Sequence, residues 1–153
     1  MKELAARYTY TSDGRLVSKV TGNYGDAYIN NWGYRRVSWD RGKLGRVREY
    51  AHRLVWFMHH GDIPEGLMVD HINLDRSDNR IENLRLVDKS GNAQNSKWKG
   101  YFWAKREGKW RASIKLNGKT KHLGYFDCEQ AARDAYLAAK SEMHEYTSIH
   151  VLK

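Results

Sequence analysis

Cysteine is nearly absent from this chain: Cys128 stands alone among 153 residues. No intramolecular disulfide can form, and no cysteine-built zinc cluster can be assembled. A single cysteine suits a reducing compartment. Proline occurs once, at Pro64. No apolar run approaches the ~20 residues that a helical membrane span needs. The first ten residues are polar and charged and lack a hydrophobic signal core. The expectation is a cytoplasmic protein with no membrane partner.

What the chain has in excess is positive charge. Lys and Arg number 27 against 18 Asp and Glu, a formal net charge of +9 and a pI near 9.7. Such an excess favours a polyanionic partner, of which nucleic acid is the commonest. The six Trp and ten Tyr read first as core and hairpin packing. The length fits one large domain or two small ones, and regions near 50 residues bury little surface on their own.

The first third reads as β-structure. Ser12-Asp13-Gly14-Arg15 is a turn signal between Tyr8-Thr9-Tyr10 and Leu16-Val17. Residues 33–39 alternate like a strand, and Asp40-Arg41-Gly42-Lys43 supplies a hairpin turn. Residues 48–60 predict a helix, with Ala51, Leu54, Val55 and Met58 on one stripe and Gly61 after it. Leu67-Met68-Val69 leads into Asp70-His71, a polar stretch follows, and Leu84-Arg85-Leu86-Val87 forms a second short strand. Asp88 is placed to cap a short helix carrying Asn92 and Asn95.

Beyond Asn95 the composition shifts. Residues 97–121 hold nine Lys and Arg and one acid, Glu107. Three strands are expected at 101–103, 109–115 and 119–125, with turns at Arg106-Glu107-Gly108 and Leu116-Asn117-Gly118. A helix over 128–143 presents a small-residue stripe, Ala131, Ala132, Ala135 and Ala139, to that sheet. The expected boundary lies at 96–100, giving a domain over 1–96 and another over 97–153.

Asp70, His71, Asn83 and Asn92 carry the chemistry. Phosphodiester hydrolysis needs an activated water and stabilised charge on the phosphate and leaving oxygen. A hard divalent cation with oxygen ligands meets the second need. The Asp70 carboxylate and Asn92 amide suit that cation, and a neutral histidine takes a proton from water near pH 7. Asn83, paired across a hairpin, is placed to hold the imidazole. Taken singly, an Asp-His pair is more often a surface pair, and lone asparagines are more often turn and cap residues.

The surrounding text makes the set specific. Residues 50–56 (Tyr-Ala-His-Arg-Leu-Val-Trp), 63–73 (Ile-Pro-Glu-Gly-Leu-Met-Val-Asp-His-Ile-Asn), 78–85 (Asp-Asn-Arg-Ile-Glu-Asn-Leu-Arg) and 91–95 (Gly-Asn-Ala-Gln-Asn) resemble the HNH endonuclease family, in particular its phage and intron-encoded homing type. The resemblance implies a ββα-metal (His-Me finger) core. His71 falls on the general base, Asn83 on the hairpin asparagine and Asp70 on the metal-binding aspartate. Asn92 stands where the family often has histidine, a His-Asn-Asn variant that favours magnesium, with manganese as a substitute, over softer ions. His52 then reads as structural or DNA-facing. His59 and His60 suit a helix C-terminus. Arg80 and Arg85 read as phosphate contacts or as a solvated face.

The segment 99–146 resembles the AP2 domain, a three-stranded sheet on one helix that lies in the DNA major groove. The matching text is 108–115 (Gly-Lys-Trp-Arg-Ala-Ser-Ile-Lys), 123–127 (Leu-Gly-Tyr-Phe-Asp) and 131–136 (Ala-Ala-Arg-Asp-Ala-Tyr). Trp110, Ala112 and Ile114 alternate with Arg111, Ser113 and Lys115, so one set meets the helix and the other faces out. The resemblance places Lys99, Phe102, Arg111, Ser113, Lys115, Thr120 and His122 on the DNA face. Phe102 and Ala104 replace the family's usual first-strand arginines. The face either reads base edges or only grips phosphate.

The expectation is therefore an α+β, magnesium-dependent, site-specific DNA endonuclease. It acts on double-stranded DNA as a monomer, in the host cytoplasm if phage-encoded. Its rivals are a non-catalytic DNA-binding regulator with a vestigial nuclease core and an RNA-binding protein.

Overall fold

The computed structural model describes residues 1–95, 99–116 and 118–144. It divides into two compact units, the first ending at Val87 and the second beginning at Asp88. The short helix that carries Asn92 thus groups with the second unit, ahead of the boundary expected at 96–100. The residues 96–98 of that expected boundary, and position 117 of the expected Asn-Gly turn, lie outside the described residues.

The first unit opens with a short helix, α1 (Lys2–Ala5), and a hairpin of β1 (Tyr8–Tyr10) and β2 (Leu16–Ser18). The helix was not expected, because Leu4, 3% exposed, is its one buried residue and leaves no periodic pattern. A second ribbon pairs β3 (Arg36–Asp40) with β4 (Arg46–Tyr50) in antiparallel register. Helix α2 (Ala51–His60) follows at once. The sequence placed residues 48–50 in that helix. Arg48, Glu49 and Tyr50 instead face Ser38, Val37 and Arg36 across the ribbon, so tertiary pairing overrides a weak local preference.

The expected stripe on α2 is the centre of the core. Ala51, Leu54 and Val55 are fully buried, with Met58 packed at the edge. They join Leu4, Tyr8, Leu16, Val37, Val69 and Leu84 in one cluster. Burying a large aliphatic side chain contributes about 1.5–3 kcal/mol, so this cluster holds six short elements besides α2 that could not persist alone. Gly61 ends α2 with φ 81°, and His59 Nδ1 lies 2.9 Å from the Val55 carbonyl oxygen. The third ribbon pairs β5 (Met68–His71) with β6 (Leu84–Val87), and α2 packs on β5.

The second unit starts with α3 (Lys89–Gln94), capped as expected: Asp88 Oδ1 accepts from the Gly91 amide at 2.7 Å. A three-stranded antiparallel sheet follows in the order β7 (Tyr101–Ala104), β8 (Lys109–Leu116), β9 (Lys119–Phe126), and α4 (Glu129–Met143) packs on all three strands. Ala112, Ile114, Ala132, Tyr136 and Ala139 form its core with Tyr101. The helix must approach closely: a Cβ on Gly100 would stand 2.1 Å from the Tyr136 ring. Among the described residues no helix is long and apolar enough to cross a membrane.

Candidate active site

Asp70 and His71 close β5, and Arg85 and Leu84 stand directly opposite them on β6. Successive strand residues face opposite ways, and these two take different neighbours. The Asp70 carboxylate, 8% exposed, accepts from Arg85 through Nε at 3.1 Å and an η-nitrogen at 3.0 Å. Arg85, a candidate phosphate contact from the sequence, thus faces a carboxylate. A desolvated carboxylate needs such a partner.

His71 turns into the unit and is 3% exposed. Its Nε2 lies 3.0 Å from Asn79 Oδ1. A carbonyl oxygen only accepts, so Nε2 carries the proton and Nδ1 keeps the basic lone pair. Burial pushes the imidazole below its ordinary pKa, against the opposing pull of the Asn79 bond and of Asp70, Asp75 and Asp78. The ring is neutral at neutral pH, the state a general base requires.

The side chain within hydrogen-bond reach of the His71 ring is that of Asn79, whereas the sequence reading puts Asn83 there. Asn83 is buried too, but its side chain works on the loop. Its Oδ1 accepts from the Asn73 amide at 3.0 Å, and its Nδ2 donates to Asn73 Oδ1 at 3.0 Å and to the Asp78 carbonyl at 2.8 Å. Both amide protons are committed there. Asn73 Nδ2 in turn donates to Asp78 Oδ2 at 2.8 Å. Asn83 therefore shapes the turn that presents Asn79 to His71.

The N-terminal hairpin fixes the same loop from outside. Gly14 has φ 81°, and a Cβ there would stand 2.4 Å from the Arg80 nitrogen. The Ile81 amide donates to the Tyr10 hydroxyl at 3.0 Å, and Arg35 Nε donates to the Ser77 carbonyl at 3.1 Å. Arg80, half-exposed, is locked to Asp78 at 2.7 Å, which holds the Asp78 carboxyl below its usual range.

His52 lies against the site. Its ring centroid is 4.9 Å from that of His71 and 5.2 Å from that of Tyr34. Burial first, then the charges of His71 and Arg53, lower its pKa to about 3. Its buried Nδ1 has no hydrogen-bond partner. Asn79, Tyr34 and His52 are the site neighbours that sequence reasoning missed or left undecided. The signal for Asn79 was present in Asp78-Asn79-Arg80, but its neighbour across the loop was not.

In the second unit Asn92 is exposed on α3. Of the residues expected on the DNA face, the six that lie on strands share one side of the sheet, and Lys99 precedes β7. Phe102 pairs with Arg111, Ser113 with His122 and Lys115 with Thr120. Lys99, Ser113, Lys115 and Thr120 also line one pocket of about 610 Å³. The opposite alternation, Ala112 and Ile114, is buried against α4 as expected.

Residues 49–94 match the HNH endonuclease family model. The chain is 31% identical over 84 residues to a putative HNH homing endonuclease, YosQ, of a Bacillus subtilis prophage, covering 54% of this chain and 47% of that protein. It thus spans about half the length of that relative. It is 33% identical over 101 residues to Protein 3.8 of Escherichia phage T7, covering 61% of this chain and 83% of that protein. Among solved structures, that of the HNH homing endonuclease I-HmuI, described as binding and cleaving DNA, superposes with a TM-score of 0.52 at 24% identity. It covers 84% of this chain and 76% of that one, a likeness of fold. With the family model lying on the β5–β6 ribbon and its flanking helices, and a relative matched over most of its length, the chain belongs to the HNH endonuclease family.

Proposed function

We propose that this protein is a divalent-metal-dependent, homing-type endonuclease that hydrolyses a phosphodiester bond of double-stranded DNA. In this reading it works as a monomer in the cytoplasm. The observation that carries the proposal is His71: buried, neutral, and held by Asn79 with Nδ1 as its basic nitrogen. His71 takes a proton from water, the oxygen attacks phosphorus, and the bond to the 3′-oxygen breaks.

The donor set fits a hard cation. Among the described residues no group of three or more His, Cys, Asp and Glu side chains could hold a metal. Asp70 and Asn92, which the motif assigns as ligands, offer only oxygen, and magnesium characteristically keeps several waters beside one or two carboxylates. Bound there, the cation would neutralise charge on the phosphate and leaving oxygen. Arg85 bonds the Asp70 carboxylate beside the base. The second unit is read as an AP2-like module whose basic sheet face meets the duplex, on the support of the shared outward side of Phe102, Arg111, Ser113, Lys115, Thr120 and His122.

Supercoiled plasmid incubated with and without magnesium tests the reading. The wild-type chain should cut only with the metal. His71→Ala should lose about 10²–10⁴-fold in rate while retaining duplex binding. A folded His71→Ala protein cutting at the wild-type rate would remove His71 as the base. Tight duplex binding without any cleavage would instead favour a regulator with a vestigial nuclease core.

A further inference from the structure

The outer face of the β7–β8–β9 sheet has an aromatic centre within a basic rim. Phe102 pairs in register with Arg111, and Arg111 pairs with Tyr125, so the three side chains form one row across the strands. A bulge makes this possible. His122 and Tyr125 are three residues apart, a spacing that puts strand side chains on opposite faces. The register shifts between Ala112 and Ser113, with Gly124 at φ 138°, and returns Tyr125 to the side of His122. Their rings meet at 4.8 Å, edge to face.

Phe102 is 51% exposed and Tyr125 43%, a large apolar surface left in water at the middle of a face. Arg111 stands between them. Its guanidinium carbon is 5.9 Å from the Phe102 ring centre, and its Nε is buried without a hydrogen-bond partner. Lys115 is exposed on the same face, and Lys119 and Lys121 are exposed along the edge strand β9, in register with Leu116 and Ile114 of the opposite alternation. The rim calls for a polyanion. The centre calls for one that also offers apolar surface beside a hydrogen-bonding edge.

Duplex DNA offers that combination in one place. In the major groove the thymine C5-methyl is the apolar group, and guanine O6 and N7 accept a guanidinium fork. Unpaired bases would instead stack on open ring faces, but here His122 engages the Tyr125 ring and Arg111 lies beside the Phe102 ring. We propose that this face reads a guanine through Arg111 and the methyl groups of thymines on adjoining base pairs through Phe102 and Tyr125. The inference rests on the reading of the second unit as a duplex-binding module and adds its specificity.

The test is binding by the full chain in EDTA to a random duplex pool, followed by resynthesis of the selected sites with deoxyuridine in place of thymidine. Uracil keeps every hydrogen bond and removes only the methyl. The selected sites should hold a guanine with adjoining thymines. The uracil form should bind about fourfold more weakly per buried methyl, roughly fifteenfold for two. Phe102→Ala, at an exposed position, should lose discrimination at one pair while keeping its salt dependence. Equal affinity for thymine and uracil forms, with strong salt-dependent binding, would overturn this inference and leave the duplex reading standing. Preference for single strands would overturn it as well. No duplex binding even at low salt would sink both.

Discussion

Polar side chains are placed differently in the two units. In the first, Asp26, His52, Asp70, His71, Asn79 and Asn83 are all buried. Asp26, fully buried, is matched by Arg15 at 3.0 Å, and Asp70 by Arg85 at 3.0 Å. In the sheet of the second, Lys115, Lys119, Thr120, Lys121 and His122 stand in water. The charge follows the same division. Residues 1–87 hold fourteen Lys and Arg against eleven Asp and Glu, and residues 88–153 hold thirteen against seven. Six of the nine net positive charges therefore fall in the shorter unit. A buried polar group is costly unless paired, and the first unit tolerates that cost where it fixes the geometry of one imidazole. An exposed lysine orders nothing, but it releases a counterion when it meets a phosphate.

Acid should separate the units most strongly. His52 titrates at about 3 in the folded chain against an ordinary 6.5. Above pH 6.5 it is neutral in both states and contributes nothing to the pH dependence. As pH falls below 6.5, the unfolded chain takes up a proton that the folded chain refuses, so stability is lost down toward pH 3. The slope approaches ~1.4 kcal/mol per pH unit, a few kcal/mol in all. Denaturant unfolding at pH 7 and pH 4.5 should show this loss, and His52→Phe should remove the share that His52 contributes, leaving that of the buried His71. A His52→Phe protein as acid-sensitive as wild type would assign the proton uptake elsewhere.

Next in size is Asn79→Ala. Loss of an orienting partner commonly costs ~10–100-fold. Cleavage rate at saturating DNA should fall by that factor with duplex affinity unchanged, and Asn79→Asp should recover part of the rate because its carboxylate still accepts from Nε2. An unaltered rate in Asn79→Ala would return the orienting role to another group.

The smallest effect is expected on the opposite side of the comparison. Lys115→Ala with Lys121→Ala should weaken binding evenly across sequences. The pair should also make the salt dependence shallower, by about 0.9 for each phosphate that is no longer neutralised. The rate of the bound complex should be that of wild type. A changed cleavage rate with an unchanged salt slope would show that these lysines serve the chemistry rather than the grip.

Much of this was legible in the sequence because it was periodic or local. The α2 stripe of Ala51, Leu54 and Val55 and the alternation of Ala112 and Ile114 against Arg111 and Ser113 were read from spacing. So was the Asp88 cap. Asp70, His71, Asn83 and Asn92 were found through the text around them. The β4 strand was not legible at its C-terminal end, since Arg48 to Tyr50 suit either state until β3 lies beside them. Arg85 read as a phosphate contact or a solvated residue because cross-strand register with Asp70 depends on how β5 and β6 align.

Sequence alone thus determined which face of each regular element is apolar, since that follows from periods of two and 3.6, and its resemblance to a family singled out the residues proposed for the chemistry. Only the tertiary structure decided what holds them. The loop from Asn73 to Asn83 has no period, and its hydrogen bonds join residues five to ten positions apart. Gly14 meets Asn79 and Arg80 across more than sixty positions of chain. Such contacts are set by the closure of the core around Leu16 and Leu54, which places Asn79, rather than Asn83, against His71.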